Sequence, residues 1–171
     1  MVNKLTSNIL RFILVIVLQV AILNNIDIGG YAKPFMYILF ILLLPFETPK
    51  WLLLVSSFFI GIIIDIFSDS IGIHAFTSVF IAFLRPYVLQ YFAPSEGYFL
   101  STPLKNNFGL AWFVRYITFL TIIHSIIFFF LEAFSFEFFF TSLLKAILSS
   151  IFTIILIIIS RLLTAKTING K

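Results

Sequence analysis

Trp51-Leu52-Leu53-Leu54-Val55-Ser56-Ser57-Phe58-Phe59-Ile60-Gly61-Ile62-Ile63-Ile64-Asp65-Ile66-Phe67 decides the fold. One charge, Asp65, stands in a run long enough to cross the hydrocarbon core of a bilayer as a helix. Isoleucine and phenylalanine are modest helix formers in water, but hydrocarbon forces every backbone group to bond within its own segment. The run is apolar on every face, whereas a membrane β-barrel strand alternates. The rest of the chain repeats this pattern. Of 171 residues, 61% are hydrophobic and 11% charged, and mean hydropathy is +1.16. A water-soluble domain of this size has no means of hiding so much apolar surface.

Six apolar segments follow from this reading, at roughly 9–23, 31–46, 51–67, 73–92, 110–134 and 138–163. The expected fold is an all-α integral membrane protein, a single six-helix transmembrane domain over 1–171. The second segment is short and carries Pro34 near its start and Pro45 near its end. Two readings of it stand, a full span in a locally thinned bilayer and a re-entrant hairpin. Lys4 and Arg11 precede the first apolar run, and Asn24-Asn25-Ile26-Asp27 follows it in place of a small-residue cleavage site, so it reads as a retained helix. With the N-terminus inside, Lys4, Arg11, Lys50, Arg85, Lys105, Arg115, Arg161, Lys166 and Lys171 fall at cytoplasmic ends, and only Lys33 and Lys145 fall outside. This bias predicts an N-in, C-in topology. The stretch 93–109, with Pro94, Glu96, Gly97, Pro103, Lys105, Asn106 and Asn107, reads as the longest, cytoplasmic loop.

Composition also excludes functions. Cysteine is absent, so disulfide, thiol and Cys-metal chemistry are absent too. The net charge of +4 is scattered, with no basic stripe interleaved with aromatics, and nucleic acid is not an expected partner. There is no HExxH, no Gly-rich phosphate loop and no Ser/His/Asp set in a supporting loop, so no catalytic residue, cofactor or metal is expected.

Function is then to be sought in the few polar residues at membrane depth. In the third and fourth segments Asp65 lies about a turn inside its helix end, and His74 opens the next helix after a short turn containing Asp69 and Gly72. A hairpin brings Asp65 and His74 together, so carboxylate and imidazole are within reach of a hydrogen bond. An intramembrane charge costs upward of about 2.5 kcal/mol and needs a reason. The plainer reason is a clasp that closes the hairpin; the functional one is a partner-facing site that includes Gly61, Asp65, Asp69, Gly72 and His74. Gln19 is expected to bond across to a neighbouring helix. Glu132 and Lys145 flank the last outer turn at similar depth and are expected to pair. His124 sits two turns from Glu132 on one face, which also admits a proton relay. Arg85 and Arg115 are expected to snorkel to headgroups, and the phenylalanines 128–130 and 138–140 to face lipid or the interface.

Gln19, Pro34-Phe35-Met36-Tyr37, Leu42-Leu43-Leu44-Pro45, Gly61 with Asp65 and Gly72-Ile73-His74-Ala75, and Phe83-Leu84-Arg85-Pro86 follow one another in an order that resembles the MreD family of rod-shape-determining membrane proteins. The resemblance covers roughly the first 90 residues, and the last two segments fit it by length and hydropathy. It implies a non-enzymatic scaffold of the bacterial inner membrane that supports lateral peptidoglycan synthesis. The implied partners are an MreC-like single-span protein and, indirectly, MreB-like filaments, a RodA-like polymerase and a class B penicillin-binding protein. The family is also similar in architecture to the six-helix substrate-binding subunits of energy-coupling-factor vitamin transporters. That gives the alternative expectation, a small-solute transporter subunit.

Overall fold

A computed structural model describes residues 2–26, 29–92, 109–134 and 136–169, with side chains over 6–26, 29–92, 109–134 and 137–163. The fold is all-helical. Its helices are α1 (Val2–Ala21), α2 (Ile38–Leu43), α3 (Lys50–Ser68), α4 (Ile73–Tyr91), α5 (Gly109–Ala133) and α6 (Phe139–Asn169), with 3-10 turns at Leu23–Asn25 and Phe136–Phe138. The loop expected at 93–109 lies outside the described residues but for Gly109. Four helices, α1, α3, α5 and α6, are long and apolar enough to cross a membrane. The 19 residues of α4 match α3 in length, but His74, Arg85, Pro86 and Gln90 lower its hydropathy.

The second segment departs from the expected full-length helix. Only six residues, Ile38–Leu43, are helical. Pro34 lacks an N–H and pushes its predecessor out of the helical region, and Pro45 does the same to Leu44, whose ψ is 146°. Yet this broken segment is the most enclosed part of the molecule. Every residue from Phe35 to Leu44 is buried, and Tyr37, Ile38, Ile41 and Leu42 have no exposed surface. A segment that is apolar on every side has to be surrounded, and α1, α4, α5 and α6 all bond to it.

Chain direction follows from a few bonds. Asn24 Nδ2 donates to Ser68 Oγ at 2.9 Å, so the C-terminal ends of α1 and α3 lie side by side. These helices run parallel, and the segment between them has to return the length of the bundle. It does so in partly unwound form, with Pro34 level with Gln19 and Leu43 level with Arg11. Helix α4 starts where α3 ends, and α5 brings Phe128 back to His74, with ring centroids 4.6 Å apart. Helices α1, α3 and α5 thus point one way, and the broken segment, α4 and α6 the other.

Unwound backbone inside a bilayer needs bonding partners, because each unmet N–H or C=O costs several kcal/mol in hydrocarbon. Neighbouring side chains supply them. Ser149 Oγ and Thr153 Oγ1 of α6 accept from the N–H groups of Lys33 and Phe35, each at 3.0 Å. Gln19 accepts from the N–H of Tyr37 at 3.3 Å and donates to Pro34 O at 2.9 Å. At the other end Tyr116 OH donates to Leu42 O at 3.1 Å, and Arg85 Nη2 donates to Leu44 O. Thr153→Val, which keeps shape and removes the acceptor, is expected to lower stability by about 1–3 kcal/mol, the cost of an unmet buried donor. The check is the unfolding midpoint in mixed detergent against Thr141→Val on the exposed face of α6. Equal midpoints for the two variants would refute this role for Thr153.

Helices α3 and α4 cross at Gly61. A Cβ added there would lie 2.4 Å from Ala75 Cα and 2.6 Å from His74 O. Small residues are the usual means of close helix approach in lipid, where no hydrophobic force draws helices together. Here Gly61 and Ala75 join two helices of one chain, and neither is available to a partner helix.

Candidate functional site: a polar core around Tyr37

The α3–α4 hairpin is closed by one carboxylate. Asp65 Oδ1 accepts from the His74 N–H at 3.0 Å and from Ser70 Oγ at 2.5 Å, and Oδ2 accepts from the Ala75 N–H at 2.8 Å. Those N–H groups belong to the first turn of α4, which has no intrahelical partner for them. A carboxylate there acts as an N-cap reaching over from another helix and meets the positive end of the α4 dipole. Asp69 makes the turn in the left-handed region at φ 50°, and Gly72 follows at φ 77°. The buried carboxylate is thereby accounted for, with a correction: it binds the backbone of His74 rather than its imidazole.

The imidazole points into the bundle. His74 Nδ1 lies 2.9 Å from Tyr37 OH, and the same hydroxyl lies 2.7 Å from His124 Nε2. A phenol has one proton, so it donates to one histidine and accepts from the other. Two neutral imidazoles of opposite roles satisfy this chain, and it joins the broken segment, α4 and α5 at one point. Phe35 and Phe128 wall it in, Phe35 lying 5.1 Å from the His124 ring and 5.9 Å from the His74 ring. Ser78, Thr121 and Ser125, buried at the same level of α4 and α5, have hydroxyls with no side-chain or backbone partner among the described residues, as does His124 Nδ1.

The remaining polar residues sort differently from the sequence expectation. Glu132 pairs with Lys33 at 3.0 Å, where Lys145 was expected, because the start of the broken segment lies against the end of α5. Glu132 is thus taken by Lys33 while His124 is joined to Tyr37, and no hydrogen bond links the two members of the expected His124–Glu132 relay among the described residues. Arg85 does not snorkel; it is 2% exposed and holds Tyr116 OH at 3.1 Å as well as Leu44 O. Arg115 is exposed. Gln19 bonds to the broken segment rather than to a spanning helix. Phe128 and Phe129 are core residues, and Phe138, Phe139 and Phe140 are exposed. Of the hairpin candidates, Gly61, Asp65 and His74 are buried, Asp69 is exposed and Gly72 is partly so. Sequence reasoning missed Tyr37, Tyr116, Ser149 and Thr153; the signal was there in Pro34 and Pro45, which announce unwound backbone in need of partners.

A cavity of about 370 Å³ lies above this core at the hairpin end, lined by Gln19, Asn24, Lys33, Asp69, His74 and Glu132 among others. Among the described residues no group of three or more His, Asp and Glu side chains is placed to hold a metal ion. No protein-family model, curated protein or solved structure matches the chain.

Proposed function

We propose that the chain is a non-enzymatic scaffold of the bacterial inner membrane, MreD-like, that crosses six times with both ends inside and holds an MreC-like single-span partner of the wall-elongation machinery. The broken segment counts as the second crossing and α4 as the fourth. One observation carries this reading beyond the resemblance. The clasp at Asp65 holds a stiff hairpin whose tip leaves Ile71 98% exposed, next to Phe134 at 90% on the end of α5. Between them runs a groove of about 760 Å³ whose apolar walls are Ile71, Ile73, Phe76, Phe128, Leu131 and Phe134, with Ser68, Asp69, Ser70 and Glu132 also lining it. Large apolar side chains held out at a rim mark an interaction surface. Asp65, His74 and Gly61 would support this surface from behind.

A photo-crosslinking residue at position 71 is expected to trap a single-span protein in native membranes, and Ile71→Asp to abolish its copurification while the bundle stays folded. Crosslinks to lipid alone would sink the scaffold reading. The polar cavity of about 370 Å³ favours a second reading, a solute-binding transporter subunit. Mild-detergent purification with mass spectrometry of retained proteins and small molecules separates the two. Wall-synthesis partners support the scaffold, and a retained solute with ATP-binding-cassette subunits supports the transporter.

A further inference from the structure

Two arginines line one cavity at the end of the bundle opposite the α3–α4 hairpin. Arg11 of α1 and Arg161 of α6 line one cavity of about 210 Å³, with Ser160 beside them and Leu14, Leu39 and Phe113 among its apolar walls. Neither arginine has a carboxylate partner among the described residues. The one ion pair among the described residues is Lys33–Glu132, at the hairpin end, and no acidic residue lines the cavity from α1, the broken segment, α5 or α6. A guanidinium offers a fork of N–H donors. Those of Arg11 find Asn8 Oδ1 at 3.3 Å and Leu43 O at 3.4 Å. Arg161 turns inward, with its guanidinium carbon 3.9 Å from the centroid of the fully buried Phe113 ring. Its Nη1 is shut off from solvent with no hydrogen-bond partner among the described residues.

This is not how an arginine at a helix end behaves when it only seeks water, since a snorkelling side chain runs outward along the helix. Two cations turned toward one small cavity, one with a buried unmet donor, call for an anion. The shape says which. Planar guanidinium forks match phosphate oxygens. The cavity reaches the surface at Leu14, which is exposed on the apolar face of α1 along with Leu10, Ile13 and Val17. A soluble anion has no use for such a wall, whereas an acyl chain does. Basic pockets between helices at the cytoplasmic side are known to bind lipid headgroups.

We propose that Arg11 and Arg161 form a binding site for the phosphate of an anionic phospholipid, its chains lying along the exposed apolar face of α1. The site stands whether or not the scaffold reading holds, because it rests on neither the hairpin rim nor any partner protein.

Native mass spectrometry of the full chain in mild detergent tests it, with phosphatidylglycerol and phosphatidylcholine as probes. Phosphatidylglycerol is expected to be retained at least tenfold better than phosphatidylcholine. The double variant Arg11→Gln/Arg161→Gln is expected to lose that preference, and Arg115→Gln, on the exposed face of α5, to keep it. Equal retention of the two lipids by the wild-type chain overturns the proposal without recourse to any variant. Undiminished preference in a folded double variant also overturns it. Inorganic phosphate distinguishes the sources: failure to displace the lipid supports a lipid site, and displacement at submillimolar phosphate overturns it in favour of a soluble phosphate compound.

Discussion

Gly61→Leu is expected to remove the folded protein altogether under conditions where the wild-type chain survives extraction in mild detergent. The reason lies in what a side chain at 61 meets. The nearest atoms to an added Cβ are Ala75 Cα at 2.4 Å, His74 O at 2.6 Å and Ala75 N at 2.7 Å, all backbone. A side chain can swing aside, but the first turn of α4 cannot move without carrying with it the groups anchored there. His74 N–H and Ala75 N–H are bonded to Asp65, and the His74 ring is bonded to Tyr37. Overpacking a core that can adjust costs about 1–3 kcal/mol. Here adjustment breaks the clasp and the tyrosine bridge together, so the leucine variant is expected to exceed that range and Gly61→Ala to fall near its upper end. Fluorescence-detected size exclusion after a temperature ramp gives the midpoints. Ala75→Gly offers an internal check. It deletes a Cβ that is not among the three nearest atoms and leaves those backbone atoms in place, so it is expected not to rescue Gly61→Ala; full rescue would disprove a backbone collision.

Asp65→Ala ranks next. The carboxylate serves His74 N–H, Ala75 N–H and Ser70 Oγ at once, and the two backbone donors are buried with it. Each unmet buried donor costs about 1–3 kcal/mol, so loss of the clasp is expected to cost about 3 kcal/mol or more. Asp65→Asn keeps one carbonyl oxygen and is expected to fall between wild type and alanine. The same midpoints rank the three chains, and hydrogen exchange at the amides of 74 and 75 reports the clasp directly. An asparagine variant as unstable as alanine, with unaltered exchange at 74 and 75, would show that the capping bonds do not hold the hairpin.

Much of this architecture is legible in the chain because hydrocarbon leaves so few options. Runs such as 51–67 and 139–163 have only helix open to them, and the boundaries of α3, α4 and α5 fall within a few residues of the expected ones. Gly61, Asp65, Gly72 and His74 were also recognisable as parts of one hairpin, since a short turn leaves them nowhere else to go. What the sequence conceals is where a polar side chain at membrane depth sends its hydrogen bond. Arg85 looked like a snorkelling residue because sequence position alone does not show that Leu44 O and Tyr116 OH stand inside its reach. Glu132 looked like a partner of Lys145 because both lie near the same turn, while Lys33, far away in the chain, takes it.

The sequence by itself determined that this protein is helical and suited to a membrane, because backbone hydrogen bonding in lipid is a local demand that each apolar run meets alone. Only the tertiary structure decided that the second run is broken and lies at the centre. Its backbone groups are met by Gln19, Arg85, Tyr116, Ser149 and Thr153, drawn from four different helices. Such bonds depend on which helices become neighbours, and no local pattern of residues carries that information.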